Sequence, residues 1–82
     1  MPIRYKNEFF QYLQTVRIPS NCNAITFMNN GLVDAKINTM PLLAGQSLSI
    51  NGNENEMDAT EYNIDFGTST TGSIWVIKKI NL

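Results

Sequence analysis

Hydrophobic and polar residues alternate from residue 23 onward in short segments that are separated by turn-forming residues. The segments with this period are 24–28, 32–38, 46–50, 60–66 and, less strictly, 73–80. Within 60–66, Tyr62, Ile64 and Phe66 are predicted to face inward, with polar residues between them facing outward. A period of two with closely spaced turns predicts an all-β fold, a small antiparallel β-sandwich or barrel of about six strands.

Two turn signals divide the first strands. Asn29-Asn30-Gly31 predicts a tight turn, since an Asn-Gly pair accepts positive φ at both positions. Pro41 and Gly45 bracket a predicted corner that leads into the strand 46–50. Val33, Ala35 and Ile37 are expected to face inward. Ile25 and Phe27 share one face of their segment, and Leu48 and Ile50 share one face of theirs.

The last segment is apolar on both faces. Ile74 and Val76 occupy one face, and Trp75 and Ile77 occupy the other. A strand of this kind is either central in a sandwich or in contact with another subunit. Trp75 and Ile77 are therefore candidate partner-binding residues.

The beginning of the chain fits two periods. Phe9, Leu13 and Val16 have helical spacing, whereas Phe10, Tyr12, Val16 and Ile18 suit a strand. The β-branched residues and the following Pro19 favour a strand over 12–18. The sequence then divides into an N-terminal arm, 1–11, which is a strand or a helix, and a single β-domain, 12–82. The arm carries Ile3, Tyr5, Phe9 and Phe10, so we expect it to pack on this domain or on a neighbour.

Composition narrows the classes of function. The chain has 82 residues, one cysteine, no histidine and a net charge of −1. An intrachain disulfide is impossible and a zinc site is not expected, so oligomerisation or docking is the remaining source of added stability.

Six basic residues without a basic stripe argue against nucleic acid as a partner. The absence of an apolar run of about 18 residues argues against a membrane span. A lone thiol without an export signal suggests synthesis in a reducing cytoplasm.

Few residues suggest chemistry. The loop 51–58 has oxygen ligands that could suit Ca²⁺, but it lacks EF-hand spacing and is better interpreted as a solvated turn. Glu54 and Glu56 could form a carboxylate pair, although no pocket is indicated near them. Cys22 has no histidine partner for nucleophilic catalysis. We therefore expect no enzyme activity and no cofactor.

Four groups of residues occur in a recognisable order. They are Ala24-Ile25-Thr26-Phe27 with Asn29-Asn30-Gly31; Ile37-Asn38 with Pro41-Leu42 and Gly45-Gln46-Ser47; Asn53 with Glu56-Met57-Asp58, Thr60 and Tyr62; and Trp75-Val76-Ile77-Lys78-Lys79. Over Val16 to Ile80 this order resembles small β-domain virion proteins of bacteriophages that infect Bacteroidetes-type hosts, including crAss-like and related phages.

The resemblance implies a non-enzymatic virion component made in the host cytoplasm: a capsid decoration, vertex, head-fibre or small tail subunit. Its partners would be further copies of itself, a larger capsid or tail protein, or both. Candidate contact residues are Tyr5, Phe9, Phe10, Trp75 and Ile77. One alternative is a carbohydrate- or receptor-binding module in which Trp75 and Tyr62 form a sugar-stacking platform. Another, an OB-like single-strand binder, is disfavoured by the acidic balance.

Overall fold

The fold is all-β across the residues that the computed structural model describes, 4–53 and 56–82. That part of the chain forms eight strands. They are β1 (Tyr5–Tyr12), β2 (Val16–Pro19), β3 (Ala24–Asn29), β4 (Ala35–Ile37), β5 (Met40–Leu42), β6 (Ser47–Asn51), β7 (Glu61–Asp65) and β8 (Ile74–Asn81).

The strands form two four-stranded sheets rather than a closed barrel. The first sheet has the order β1-β8-β3-β6 and the second the order β2-β7-β4-β5, with antiparallel neighbours throughout. The first strand thus pairs with the eighth, the second with the seventh, the third with the sixth and the fourth with the fifth. This nested pairing, divided between two sheets, is the connectivity of a jelly roll.

The core lies between the two sheets and follows the predicted alternation. The inward-facing residues predicted at Ala35, Ile37, Tyr62, Ile64 and Phe66 are buried. The pairs that were each assigned to one strand face, Ile25 with Phe27 and Ile74 with Val76, are buried as well. Val33, Leu48 and Ile50 are half-buried and pack against this cluster. Burial of apolar surface at about 25 cal/mol per Å² is the main favourable contribution to folding.

The N-terminal segment differs from its predicted form. Residues 5–12, which were assigned mostly to the arm 1–11, form β1 at the edge of the first sheet, paired along its length with β8. The single strand expected over 12–18 is found only as β2, after a break at 13–15. Residues of β1 alternate between the two faces because pairing with β8 imposes a period of two. Ile3 lies outside the described residues.

Two of the predicted turns also differ. Neither Asn30 nor Gly31 has a positive φ, and β3 and β4 belong to different sheets, so the segment 30–34 is a crossover and not a hairpin. The tight hairpin instead joins β4 to β5, where Asn38 has φ 57°. The predicted corner at Pro41 contains β5 itself, which raises the strand count above six.

Pro19 and Pro41 both lie in edge strands of the second sheet. Pro19 belongs to β2 and Pro41 to β5, which are the two outermost strands. Ser20 N–H donates to the carbonyl oxygen of Thr60 at 3.1 Å, so its neighbour Pro19 has its nitrogen on the unpaired side of β2. Pro41 is paired with Lys36, between the pair Ile37–Met40 that closes the turn and the pair Ala35–Leu42. Hydrogen-bonded pairs alternate along an antiparallel ladder, so the nitrogen of Pro41 also points away from the neighbouring strand. Proline at these positions removes no ladder hydrogen bond.

Candidate functional site

Large apolar side chains gather on the outer face of the first sheet. Phe9 of β1, Ile77 of β8 and Thr26 of β3 form one cross-strand row. Trp75 and Met28 stand side by side in the next row. The outer apolar patch, as we call it, consists of Tyr5, Phe9, Met28, Trp75 and Ile77.

The patch is open to solvent. Phe9 is 62% exposed and Trp75 37%, while Tyr5 and Met28 are also exposed and Ile77 is half-buried. Contiguous apolar side chains on the surface of a small domain are costly in water and often mark a contact with another macromolecule.

Four of the five predicted contact residues share this face, and the fifth does not. Phe10 points to the opposite face of β1, where it is half-buried against the core. Its ring stacks on Tyr12 with the centroids 6.4 Å apart, and Lys78 Nζ lies 5.2 Å from its centroid. Phe10 is therefore a packing residue in this structure and is not part of the patch.

Met28 is a patch residue that the sequence analysis missed. Ile25 and Phe27 were predicted to share one face of an alternating segment, and they are buried, so Met28 lies on the outer face. The sequence pattern around Met28 does not show which residue lies beside it. Trp75 becomes adjacent to Met28 only through the pairing of β3 with β8.

Polar groups orient the aromatic side chains of the patch. The Asn30 side-chain amide fits its surroundings when its oxygen accepts from the Trp75 indole N–H, at 3.1 Å, and its nitrogen donates to Ser73. At the other end, Lys79 Nζ lies 4.6 Å from the centre of the Tyr5 ring, in a cation–π arrangement. Both rings are held in defined positions on the sheet surface.

The outer face of the second sheet is polar by contrast. Arg17 and Glu61 form an exposed ion pair with an N–O distance of 3.7 Å. Lys36 stands opposite Asp65 on the neighbouring strand. The molecule therefore presents an apolar patch on one sheet face and charged residues on the other, and only the patch offers surface whose removal from water is strongly favourable.

The sugar-stacking pair of Trp75 and Tyr62 is not assembled. Tyr62 is only 5% exposed and packs edge-on against Phe27 in the core, with the ring centroids 5.2 Å apart. Trp75 lies on the outer side of the other sheet. The two rings therefore cannot present one surface to a sugar.

Tyr62 instead takes part in a hydrogen-bonded cluster with Asp58. Its hydroxyl donates to Asp58 Oδ2 at 2.6 Å, and the Thr60 N–H donates to Oδ1 at 2.8 Å. Burial and this bond to Asp58 raise the pKa of Tyr62 to about 12. Burial alone would raise the pKa of Asp58, but the hydrogen bonds from Thr60 and Tyr62 outweigh it and hold that pKa below its ordinary value.

The two described carboxylates of the segment 51–58, Glu56 and Asp58, accept hydrogen bonds from neighbouring residues. Glu56 Oε1 accepts from the Asn53 N–H at 3.2 Å, and Asp58 is committed to the cluster with Tyr62. Within 4–53 and 56–82, no group of three or more His, Cys, Asp or Glu residues could hold a metal ion. Glu54, one member of the predicted carboxylate pair, lies outside the described residues.

Cys22 is fully buried, and burial raises the pKa of its thiol. Its backbone forms an isolated antiparallel bridge with Asp58. A protonated thiol out of contact with solvent is a packing group, not a nucleophile.

An apolar cleft of about 270 Å³ opens between the two sheets. Met40, Leu48 and Tyr62 are among its lining residues. Its volume lies just below the range of about 300–1,000 Å³ that is usual for small-molecule pockets. The outer apolar patch remains the stronger candidate site.

Comparison of the chain with protein-family models, with curated proteins and with solved structures gives no match. In the described residues, no helix has the length and apolar character needed to cross a membrane.

Proposed function

We propose that this chain is a non-enzymatic structural protein of a bacteriophage virion: a capsid decoration, vertex, head-fibre or small tail subunit. It acts by protein–protein assembly and becomes part of the particle after synthesis in the host cytoplasm. The contact surface is the outer apolar patch.

The single observation that supports this proposal most is the meeting of Phe9, Trp75 and Ile77 on one exposed sheet face. These residues come from the two ends of the chain and share a surface only in the fold. Burying their rings and aliphatic groups in an interface would supply the stability that a small domain with no disulfide lacks. The jelly-roll connectivity is compatible with the proposal, because viral capsid proteins use it. Lectins and cupins use it as well, so it carries less weight than the patch.

The carbohydrate-binding alternative was based on Trp75 and Tyr62 forming one stacking surface, and the two rings do not lie on one surface. Tyr62 is buried and bonded to Asp58, so a sugar would have to stack on Trp75 with other partners. We therefore prefer assembly.

The proposal is tested by sedimenting purified particles of the encoding virus with the tagged full chain. We expect co-sedimentation at a fixed copy number, in multiples of three or five. Trp75→Ser should reduce the bound fraction while its unfolding stays cooperative. Leu32→Ser is the matched control, since Leu32 is 93% exposed in the crossover after β3 and is not one of the patch residues.

Two results would contradict the proposal. One is a stable monomer that never co-sediments with particles. The other is equal binding by Trp75→Ser and the unsubstituted chain. Glycan binding that depends on Trp75 would favour the carbohydrate-binding alternative.

A further inference from the structure

Strand β1 ends the first sheet with a row of unpaired backbone groups. It is eight residues long and pairs only with β8 among the described strands. Leu82 N–H donates to the Arg4 carbonyl at 2.8 Å, so Arg4 and Leu82, which lie opposite each other, form a hydrogen-bonded pair of the ladder. The register with β8 is constant, so every second residue after Arg4 also bonds to β8. The residues between them, Tyr5, Asn7, Phe9 and Gln11, direct N–H and C=O away from the sheet.

The other free edges of the sandwich are less suited to strand addition. Both edges of the second sheet carry a proline whose nitrogen faces the unpaired side, so each lacks a donor there. The edge strand β6 has five residues and no charge to specify a register. β1 is longer and carries one basic and one acidic residue, Lys6 and Glu8, on the same face.

We propose that β1 pairs antiparallel with β1 of a second copy of this chain, with Asn7 opposite Asn7 of that copy. This inference rests on the proposed assembly function and names the partner. The pairing is symmetric, so each copy contributes the same strand and the two first sheets become one continuous sheet.

Charge complementarity selects this register. With Asn7 at the twofold axis, Lys6 stands opposite Glu8 of the second copy, and Glu8 opposite its Lys6. A shift of the axis to Lys6 puts two ammonium groups opposite each other, and a shift to Glu8 puts two carboxylates opposite each other. An axis at Phe9 places both charged residues opposite aromatic rings. Within one copy, Lys6 Nζ is already 3.5 Å from Glu8 Oε2, so the dimer would join two ion pairs into one group of four charges.

The same register extends the outer apolar patch. Phe9 stands opposite Ile77 in its own sheet and would stand opposite Tyr5 of the second copy. Cross-strand pairs of aromatic residues are favourable neighbours in antiparallel sheets. The two patches would then form one apolar surface across the dimer.

Charge reversal tests the pairing. Sedimentation equilibrium of the full chain should show a dimer, and Lys6→Glu or Glu8→Lys should each raise its dissociation constant roughly tenfold, because each creates two like-charge pairs. The double reversal Lys6→Glu with Glu8→Lys should return the constant to within about threefold of the original. Urea unfolding of each variant, diluted to monomer, separates association from folding.

Cross-linking tests the register. Asn7→Cys should give a disulfide-linked dimer on mild oxidation, since facing Cα atoms about 5.5 Å apart are within disulfide reach. Ser49→Cys, on the outer face of the opposite edge strand, is the matched control and should remain monomeric in the gel. Both variants also contain the buried Cys22, so any disulfide that it forms would appear equally in both.

A monomer at every concentration, or a dimer that is insensitive to both charge reversals, would overturn the edge pairing. A monomer that still binds particles through Trp75 would overturn it and leave the proposed function standing. A charge-dependent dimer that never co-sediments with particles would support the pairing and contradict the proposed function.

Discussion

Phe9 lies directly opposite Ile77 across the β1–β8 pair, and both side chains stand on the outer face of the first sheet. The two residues are 68 positions apart in the sequence, so their contact depends on the pairing of the chain's two ends. Phe9 is 62% exposed and Ile77 is half-buried, so we expect both to contribute less to folding stability than the fully buried residues of the opposite face, and this difference can be measured.

Two phenylalanines on opposite faces of the first sheet should respond differently to truncation. Phe27→Ala should cost about 3–5 kcal/mol, because Phe27 is fully buried and its removal leaves a cavity. Phe9→Ala should cost about 1 kcal/mol or less, since most of that ring is already in solvent. Urea unfolding at equal protein concentration gives both values. Similar losses for the two variants would mean that Phe9 belongs to the core.

Asn29→Asp should destabilise the crossover between β3 and β4. The buried Asn29 amide donates to the carbonyl oxygens of Val33 and Leu42, at 3.0 and 2.9 Å, and its Oδ1 accepts from the Gly31 N–H. An aspartate cannot make those two donations when ionised, so we expect a loss of about 2–4 kcal/mol at neutral pH. Thermal unfolding at pH 7 measures this loss.

Asn30→Asp is the comparison for that variant, since Asn30 is exposed at the surface and water can replace the donation that its amide makes to Ser73. A loss as large as that of Asn29→Asp would show that charge in the crossover, and not the lost donations, is responsible.

Gly72→Ala should be destabilising through steric conflict. A Cβ atom at Gly72 would lie far inside contact distance of Phe66 Cδ1, and Phe66 is buried. Overpacking of this kind typically costs about 1–3 kcal/mol. Combining Gly72→Ala with Phe66→Leu should cost less than the sum of the two single substitutions, as a double-mutant cycle would show. If the two losses of unfolding free energy were strictly additive, the loss in Gly72→Ala would not come from a clash with Phe66.

Tyr62→Phe should change how stability depends on pH. The pKa of Asp58 is lowered in the folded state, so its contribution is present above about pH 3.9 and is lost as the pH falls through the folded value. The pKa of Tyr62 is raised from 10.0 to about 12, so its contribution is complete below pH 10.0 and is lost between 10.0 and about 12.

Removing the Tyr62 hydroxyl should remove the part of the alkaline loss of stability that Tyr62 causes and leave the part due to Cys22 and Tyr12, whose pKa values burial also raises. It should also reduce the loss of stability at acid pH, because Asp58 loses a donor. At pH 7 we expect a cost of about 1–2 kcal/mol. Unfolding free energies measured from acid to alkaline pH provide the check. If the variant lost as much unfolding free energy at alkaline pH as the unsubstituted chain does, that loss would come from a group other than Tyr62.

The interior could be predicted from the sequence because it is encoded locally. Ile25, Phe27 and Tyr62 belong to segments of period two, and such a segment buries every second side chain whichever strands lie beside it. The apolar character of both faces around Trp75 left two alternatives, a central strand or a contact with another subunit; β8 is a central strand of the first sheet, and Trp75 lies on its outer face.

Other features depended on contacts between distant residues. The Asn29-Asn30-Gly31 sequence favours a hairpin, but the Asn29 side chain is held by the carbonyls of Val33 and Leu42, and the chain crosses to the other sheet. The spacing of residues 5–12 fits more than one period, and only the pairing with β8 decides between them. Met28 joins the patch for the same reason, since the order of strands in a sheet is not encoded within any one strand.

The prolines of the second sheet have a consequence for behaviour at high concentration. Pro19 and Pro41 leave each free edge of that sheet without one of the donors that an incoming strand would need. Exposed edges are the usual templates for runaway cross-β pairing. Many copies of this domain can therefore be crowded together, as assembly through the first sheet would require, without the second sheet seeding a fibril.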